Sequence, residues 1–405
     1  MRVATANSYD QTIAHLMQRQ TELVAQQERI SSGKRVQRAS DDPVAAVLAE
    51  TAQNRIARVQ ADLRALEASR TSLAQAESAL GESGDLIQQA RELMLSAGNP
   101  TLGERARADL ALSLSGLREQ MLALANRQDS AGRTLFGGLG GSSTPFVEVF
   151  GPSASGVRFD GLPGQAAAGK HSLPQALDGQ AIWMRLPQGN GSFTISQAAG
   201  NSGGARTDIG RVSNPSALSG QHYSLSFAEV GGVMQYSVRN TSTASPVAGQ
   251  TDMPFRAGST VEFDGMAFQL HGNPAAGDRI EIAPVGGPTD IFQVLQNTMD
   301  ALRYTGPAQG ARLSHELARA LTELDAGLDR VLQARSQAGD WLNRADSLQA
   351  LLSDRSVAHQ TEQARLEDLD MVQGISDFQR QQIGLDAALK SYAQVQRLSL
   401  FQHIG

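Results

Sequence analysis

The chain contains no cysteine. That absence removes disulfides, thiolate nucleophiles and cysteine metal ligands, and it leaves the redox compartment open. A chain that must pass unfolded to the outside of a cell would lose nothing by lacking thiols. Positive charge is not in excess either: 35 Lys and Arg stand against 41 Asp and Glu, a net charge of −6, with the two signs interleaved. No basic field marks a nucleic-acid or anionic-membrane partner, so neither nucleic acid nor membrane insertion is expected. Long apolar runs are missing as well. Nowhere do roughly eighteen consecutive apolar residues occur, which excludes a bilayer-spanning helix. The opening stretch MRVATANSYDQTIAHLMQRQ has no apolar segment after Arg2 of the kind a cleaved signal peptide carries.

What is present is length and two switches in composition. With 405 residues, 40% of them hydrophobic, the chain can build two or three packed domains. Up to about Leu135 it is rich in Ala, Leu, Gln, Glu and Arg, with Pro43 and Pro100 at expected helix boundaries. From Phe136 to Pro288 it turns to Gly, Ser, Thr, Val and Phe in short alternating runs: AIWMRL, SFTIS, HYSLSFA, MQYSVR, TVEF, MAFQLH and RIEIAP. These read as strands, and Gly231-Gly232 and Asp264-Gly265 read as two-residue hairpin links. Helix composition returns at about Thr289. The expected fold is mainly α with an inserted β domain, the N- and C-terminal helices paired in a coiled-coil-like rod and the β-rich module outermost. Residues 1–40 and 370–405 form the terminal unit of this plan, 41–140 and 289–369 a long-helix bundle, and 141–288 the insert.

The stretch ERISSGKRVQRASDDPVAAVLAE puts a helix stop and a helix start close together. Gly33 suits the left-handed position that ends a helix, and Lys34 and Arg35 place positive charge at its carbonyl end. Asp42 is an N-cap, Pro43 fits the first helical position, and Asp41 adds negative charge at the same N-terminus. Two adjacent carboxylates on a polar loop are far better explained as caps than as a general acid and base, which must face one cleft.

Both ends carry a narrow apolar stripe. On the N-terminal side it comprises Ile13, Leu16, Leu23 and Ile30, with Gln20 and Gln27 expected at the intervening core positions. On the C-terminal side it comprises Ile375, Phe378, Leu385, Leu389 and Tyr392, interrupted by Gln382 and Gln396, with Leu398 and Phe401 continuing just off register. An antiparallel pair is the simplest arrangement. Two stripes this thin make a poor pair in isolation, so they are expected to order fully when neighbours supply the missing contact. Periodicity alone reports amphipathicity and leaves a core face of the same domain equally open.

Catalytic, cofactor and metal residues are not nominated. GQAAAGKHS (Gly164 to Ser172) approaches a phosphate loop, but His171 stands where the hydroxyl ligand to magnesium belongs, and Pro163 precedes it instead of a buried strand. HELAR (His315 to Arg319) lacks the second histidine of a zinc-protease helix. FGGLGGSS (Phe136 to Ser143) reads as a linker.

ISSGKRVQRASDDPVAA (Ile30 to Ala46) resembles the N-terminal joint of the bacterial flagellin superfamily, and Asn54 to Asn99 resembles the long helix that follows it there. RQDSAGRTLFGG (Arg127 to Gly138) is similar to the exit from that family's helical core, and the last thirty residues to its C-terminal helix. These matches span both ends, about half the chain. The Asp-Asp-Pro joint, the closing SYAQVQRLSLFQHIG and HGNPAAGDRIEIAP (His271 to Pro284) look more like hook-associated members than filament flagellin. The resemblance implies a structural subunit of the flagellum, exported without a cleaved signal through the flagellar type III apparatus. The partners it implies are copies of itself, a neighbouring hook-associated protein, flagellin and an export chaperone.

Overall fold

The computed structural model describes residues 2–149, 156–166 and 172–404, with side chains from residue 10 to 394 apart from those gaps and residue 141. In chain order the helices are α1 (Arg2–Ser32), α2 (Pro43–Ala97), α3 (Glu104–Ala125), the short α4 (Gly179–Trp183), α5 (Ile291–Arg303), α6 (Gln309–Glu367) and α7 (Met371–Ile404). The strands are β1 (Gly141–Val149), β2 (Gly156–Gly161), β3 (Phe193–Gln197), β4 (Arg206–Thr207), β5 (Arg211–Val212), β6 (Tyr223–Val230), β7 (Val233–Asn240), β8 (Ser245–Pro246), β9 (Met253–Pro254), β10 (Thr260–Phe263), β11 (Met266–His271) and β12 (Arg279–Pro284). The fold is mainly α with an antiparallel β domain inserted.

Two compact units form: Met1–Ala65 with Ser347–Gly405, and Leu66–Asp346. The two longest helices, α2 and α6, contribute to both. Their length follows from a seven-residue repeat of buried positions. On α2 these are Ala45, Ala52, Val59, Leu66, Leu73, Leu80, Ile87 and Met94; on α6 they are Leu317, Leu324, Val331, Ala338, Ala345 and Leu352. A strict heptad keeps one seam on one partner over many turns, which is coiled-coil packing. Ser69, Ala76, Ser83, Ala90 and Ala97 form a second buried column on α2, small enough for a neighbour to approach closely. Exposed ion pairs flank the α2–α6 seam, Arg55 with Glu362 in the terminal unit and Arg335 with Glu77 in the other. Pairs of this kind guide pairing more than they stabilise it.

In the larger unit α3 and α5 pack together. Asp129 knots the exit from α3 by accepting the N–H groups of Ala131 and Arg133, both at 2.9 Å, and the Arg133 guanidinium at 2.8 Å. The inserted domain has a six-stranded sheet in the order β3-β12-β6-β7-β8, with β9 also on β7, and a four-stranded sheet β10-β11-β4, with β5 also on β11. Both sheets contribute to one apolar core that includes Phe193, Leu225, Val238, Val261, Phe268 and Ile280. Asp264 and Gly265 (φ +48° and +72°) turn β10 into β11, and Gly231 and Gly232 (φ +62° and +79°) turn β6 into β7. Both are the positive-φ pairs that match the twist of a two-residue hairpin.

The run AIWMRL is not a strand. Asp178 caps a short helix instead, its carboxylate accepting from Ala181 N–H at 3.2 Å, and Trp183 is fully buried edge-on to Phe136 and Phe146. The apolar alternation that imitates a strand is here the interior of an aromatic cluster that buries both Ile182 and Trp183. His315 of the HELAR stretch is also structural. It is buried on α6, with Nε2 at 2.7 Å from the Ile195 carbonyl oxygen and Nδ1 at 3.4 Å from that of Thr207. The phosphate-loop-like stretch, Gly164 to Ser172, falls partly outside the described residues.

Candidate assembly surface

The joint between α1 and α2 is built as its residues dictate. Gly33 adopts φ +72° at the end of α1. A side chain there would meet nothing within 4 Å, so the glycine serves backbone conformation and not space. Asp41 accepts the N–H groups of Gln37 at 3.1 Å and Arg38 at 2.9 Å, which closes the loop. Asp42 accepts Ala45 N–H at 3.0 Å, the N-cap bond of α2, with Pro43 at the first helical position. These bonds set both acids below the usual carboxylate range: the Arg38 and Gln37 amides hold Asp41 down, and the Ala45 amide followed by the Arg35 guanidinium holds Asp42 down. Neither carboxylate faces a cleft.

A second joint, between α6 and α7, meets the first. Leu369 N–H donates to the Gly33 carbonyl at 2.9 Å, and Arg35 N–H donates to the Glu367 carbonyl at 2.6 Å. Side chains reinforce the contact: Lys34 Nζ lies 2.6 Å from Glu367, and Arg35 donates to the Leu366 carbonyl at 2.9 Å. Asp370 caps α7 through the N–H groups of Val372 and Gln373. This half of the joint escaped the sequence reading, although Asp368 and Asp370 beside an apolar helix start carry the same capping signal as Asp41 and Asp42.

Beyond the joint α1 and α7 run antiparallel. Gln26 Nε2 donates to the Gly374 carbonyl oxygen at 3.1 Å, and a methyl group on Gly384 would lie 3.0 Å from Arg19 Nη1. At equal helical rise this register sets Leu23 level with Phe378 and Leu16 level with Leu385. Ile13, Leu16, Leu23 and Ile30 on α1 and Phe378, Leu385 and Tyr392 on α7 are half-buried. Ile375 (44% exposed) and Leu389 (47%) stay exposed, each turned roughly 40–60° around the helix from the line through Phe378 and Leu385. The side chains of Leu398, Phe401 and Gln396 lie outside those described. Gln20, Gln27 and Gln382, expected in the core, are exposed; the buried glutamine is Gln26. Among the described side chains, Gln26 is the sole buried residue of α1 and Gly374 the sole buried residue of α7. The described part of the pair therefore buries no apolar side chain completely.

The start of α2 shows the same deficit in a sharper form. Its inner face buries Ala45, Ala49 and Ala52, while Val44 (70% exposed), Val47 (63%) and Leu48 (49%) point to solvent. A helix that buries alanine and exposes valine and leucine has its larger apolar face free for a partner. Among the described residues, more than half of the exposed large apolar side chains fall in the terminal unit, which holds less than a third of the chain. The sequence reading missed these three; the three-four spacing of Val44, Val47 and Leu48 opposite a run of alanines was the available signal.

A family profile for the bacterial flagellin N-terminal helical region matches residues 3–140. Flagellar hook-associated protein 3 of Escherichia coli is 27% identical over 410 residues, covering 99% of both chains. The crystal structure of the flagellar junction protein FlgL from Legionella pneumophila superposes with a TM-score of 0.67 at 27% identity, covering 74% of this chain and 99% of that one. Over residues 3–140 the chain carries the bacterial flagellin N-terminal helical region. The extent of similarity discriminates among its relatives. Polar flagellin E of Vibrio parahaemolyticus is 30% identical, but over 133 residues, 33% of this chain. Similarity to this flagellin covers a third of the chain, whereas similarity to flagellar hook-associated protein 3 covers 99% of it.

Proposed function

We infer that this chain is a structural subunit of the bacterial flagellum that forms the junction between hook and filament by assembly of its terminal helices. The observation that carries this reading is the end-to-end similarity to flagellar hook-associated protein 3, against similarity to a flagellin over one third of the chain. The terminal unit supports the mode of assembly, because its helices leave apolar faces uncovered that a packed layer of subunits would bury. Ile13, Leu16, Leu23, Ile30, Phe378, Leu385 and Tyr392 form the seam within a subunit, and Val44, Val47, Leu48, Ile375 and Leu389 face neighbours. On this reading the partners are copies of the chain, an adjoining hook-associated protein and flagellin. Export proceeds through the flagellar type III apparatus with an export chaperone.

The alternative, filament flagellin, requires purified subunits to grow into long homopolymers; a junction subunit stops at a short layer. Cells deleted for this chain are expected to be non-motile and to shed unpolymerised flagellin into the medium. Normal filaments on the deletion strain would overturn the junction reading.

A further inference from the structure

We propose that Gln26 sets the register of α7 on α1, a positioning role that rests on the reading of the terminal pair as the assembly element. The apolar residues of the pair cannot set it alone. Leu16, Leu23 and Ile30 recur every seven residues on α1, as do Phe378, Leu385 and Tyr392 on α7. Sliding one helix by seven residues, about 10 Å at 1.5 Å per residue, brings apolar side chains level with one another again. All six are only half-buried, so few close contacts penalise the slip.

Gln26 breaks this degeneracy. Its side chain is buried, and its Nε2 donates to the Gly374 carbonyl oxygen at 3.1 Å. Residue 374 leaves the α7 backbone bare beside this bond: a methyl group there would crowd Leu369 Cδ2 at 2.8 Å and would touch the Gln26 amide nitrogen at 3.6 Å, an ordinary contact. Seven residues further along α7 stands Gln381, with a long side chain where Gly374 has none. After a slip the buried Gln26 amide would give up the Gly374 bond and meet the Gln381 side chain in place of a bare backbone carbonyl. One polar residue inside an apolar helix seam is the known means of specifying register at the expense of stability. The joint adds the backbone bonds of Leu369 to Gly33 and of Arg35 to Glu367, while its half-exposed Lys34 and Arg35 ion pairs are weak, so the test must separate the joint's contribution from that of Gln26.

Because the chain has no cysteine, introduced cysteine pairs read the register directly. A disulfide forms only where Cα atoms come within about 7 Å, so a slip of seven residues is resolved. In the full-length chain, Leu23→Cys with Phe378→Cys reports the native register. Leu16→Cys with Phe378→Cys, and Leu23→Cys with Leu385→Cys, report slips in the two directions. With Gln26 in place, the native pair alone is expected to cross-link. Gln26→Met keeps the length of the side chain and removes the donor, and it should raise at least one slipped cross-link from background to a yield similar to the native one. Cross-linking of the native pair alone in Gln26→Met would overturn the proposal and assign register to the joint. Absence of all three cross-links with Gln26 present would overturn it too, by removing the pair. The junction reading fails by a different result, filaments on cells that lack the chain.

Discussion

The Asp42 carboxylate holds the Arg35 guanidinium at 3.2 Å while its other oxygen caps α2, and Arg35 reaches on to the Leu366 carbonyl at the end of α6. One carboxylate thus ties three chain segments, the α1–α2 loop, the start of α2 and the end of α6. The α1–α2 joint is thereby bonded to the α6–α7 joint.

Acid should undo that joint. Asp41 and Asp42 both have folded pKa values below the ordinary 3.8. A depressed acid stabilises the fold fully above its unfolded pKa, and the contribution is lost as pH falls through the folded value. The protection of the Gln37, Arg38 and Ala45 amides, relative to their unstructured exchange rates at each pH, is therefore expected to be flat from about pH 7 to pH 5 and to fall below about pH 4. Asp42→Asn should keep the cap and remove much of the pH dependence, whereas Asp42→Ala should lose protection at Ala45 at every pH. Unchanged protection in Asp42→Ala would show that the cap does not hold the joint.

Glu323 should behave in the opposite sense. Its carboxylate is buried on α6, accepts Gly189 N–H at 2.8 Å, and has a folded pKa raised first by burial, with the Gly189 bond and Arg319 opposing. A raised acid costs stability once pH rises above the unfolded value, near 4.5, and the cost grows until the folded group ionises. Glu323→Gln preserves an acceptor for Gly189 and removes the charge. Its stability relative to wild type should therefore improve as pH rises from about 4.5 towards neutral. Glu323→Ala leaves the Gly189 amide without its acceptor and should cost about 1–3 kcal/mol in denaturant titration. A Glu323→Gln difference that does not vary with pH would mean that the carboxyl is ionised throughout.

Features set by local chain chemistry were legible in the sequence. Gly33 with Asp42 and Pro43, and the turns at Gly231-Gly232 and Asp264-Gly265, each need a backbone conformation or a cap that few residue types supply. The long helices were legible from composition, rich in Ala, Leu, Gln, Glu and Arg, whereas the heptad that sets their seam emerged only with the structure. What was not legible depends on which face meets what. AIWMRL alternates like a strand, yet the aromatic cluster around Trp183 buries both Ile182 and Trp183. Gln26 and Gln27 are equally polar neighbours, and only the placement of α7, whose Gly374 carbonyl is distant in the chain, tells which of them is buried. Val44 and Val47 look like core residues until Ala45 and Ala49 are seen to fill that place.

Core and surface substitutions should separate folding from assembly. Leu80 lies fully buried in the α2 heptad, and Leu80→Ala should destabilise the subunit by about 2–5 kcal/mol in chemical denaturation. Val47→Ser removes an exposed side chain and should change subunit stability by less than about 0.5 kcal/mol. Motility is expected to respond in reverse proportion to that stability change, with Val47→Ser, and more so Val47→Asp, failing to complement a deletion strain although the protein folds and is exported. Full complementation by Val47→Asp would remove Val47 from the assembly surface.

The last expectation concerns α1 and α7 in a single subunit. Protection from hydrogen exchange follows buried apolar contact and backbone bonds shielded from solvent. On α2 and α6 the heptad columns supply both, whereas the described part of the terminal pair buries only Gln26 and Gly374. In dilute purified subunits the amides of α1 and α7 should exchange much faster than those around Leu73, Leu80, Leu324 and Val331. Inside an assembled layer they should become protected, because neighbours cover Met17, Val24, Val372 and Ile383, which stand exposed in the isolated chain. Rigid, slowly exchanging α1 and α7 in the dilute subunit would mean that the pair is complete by itself. The exposed apolar side chains of the terminal unit would then need another explanation than assembly.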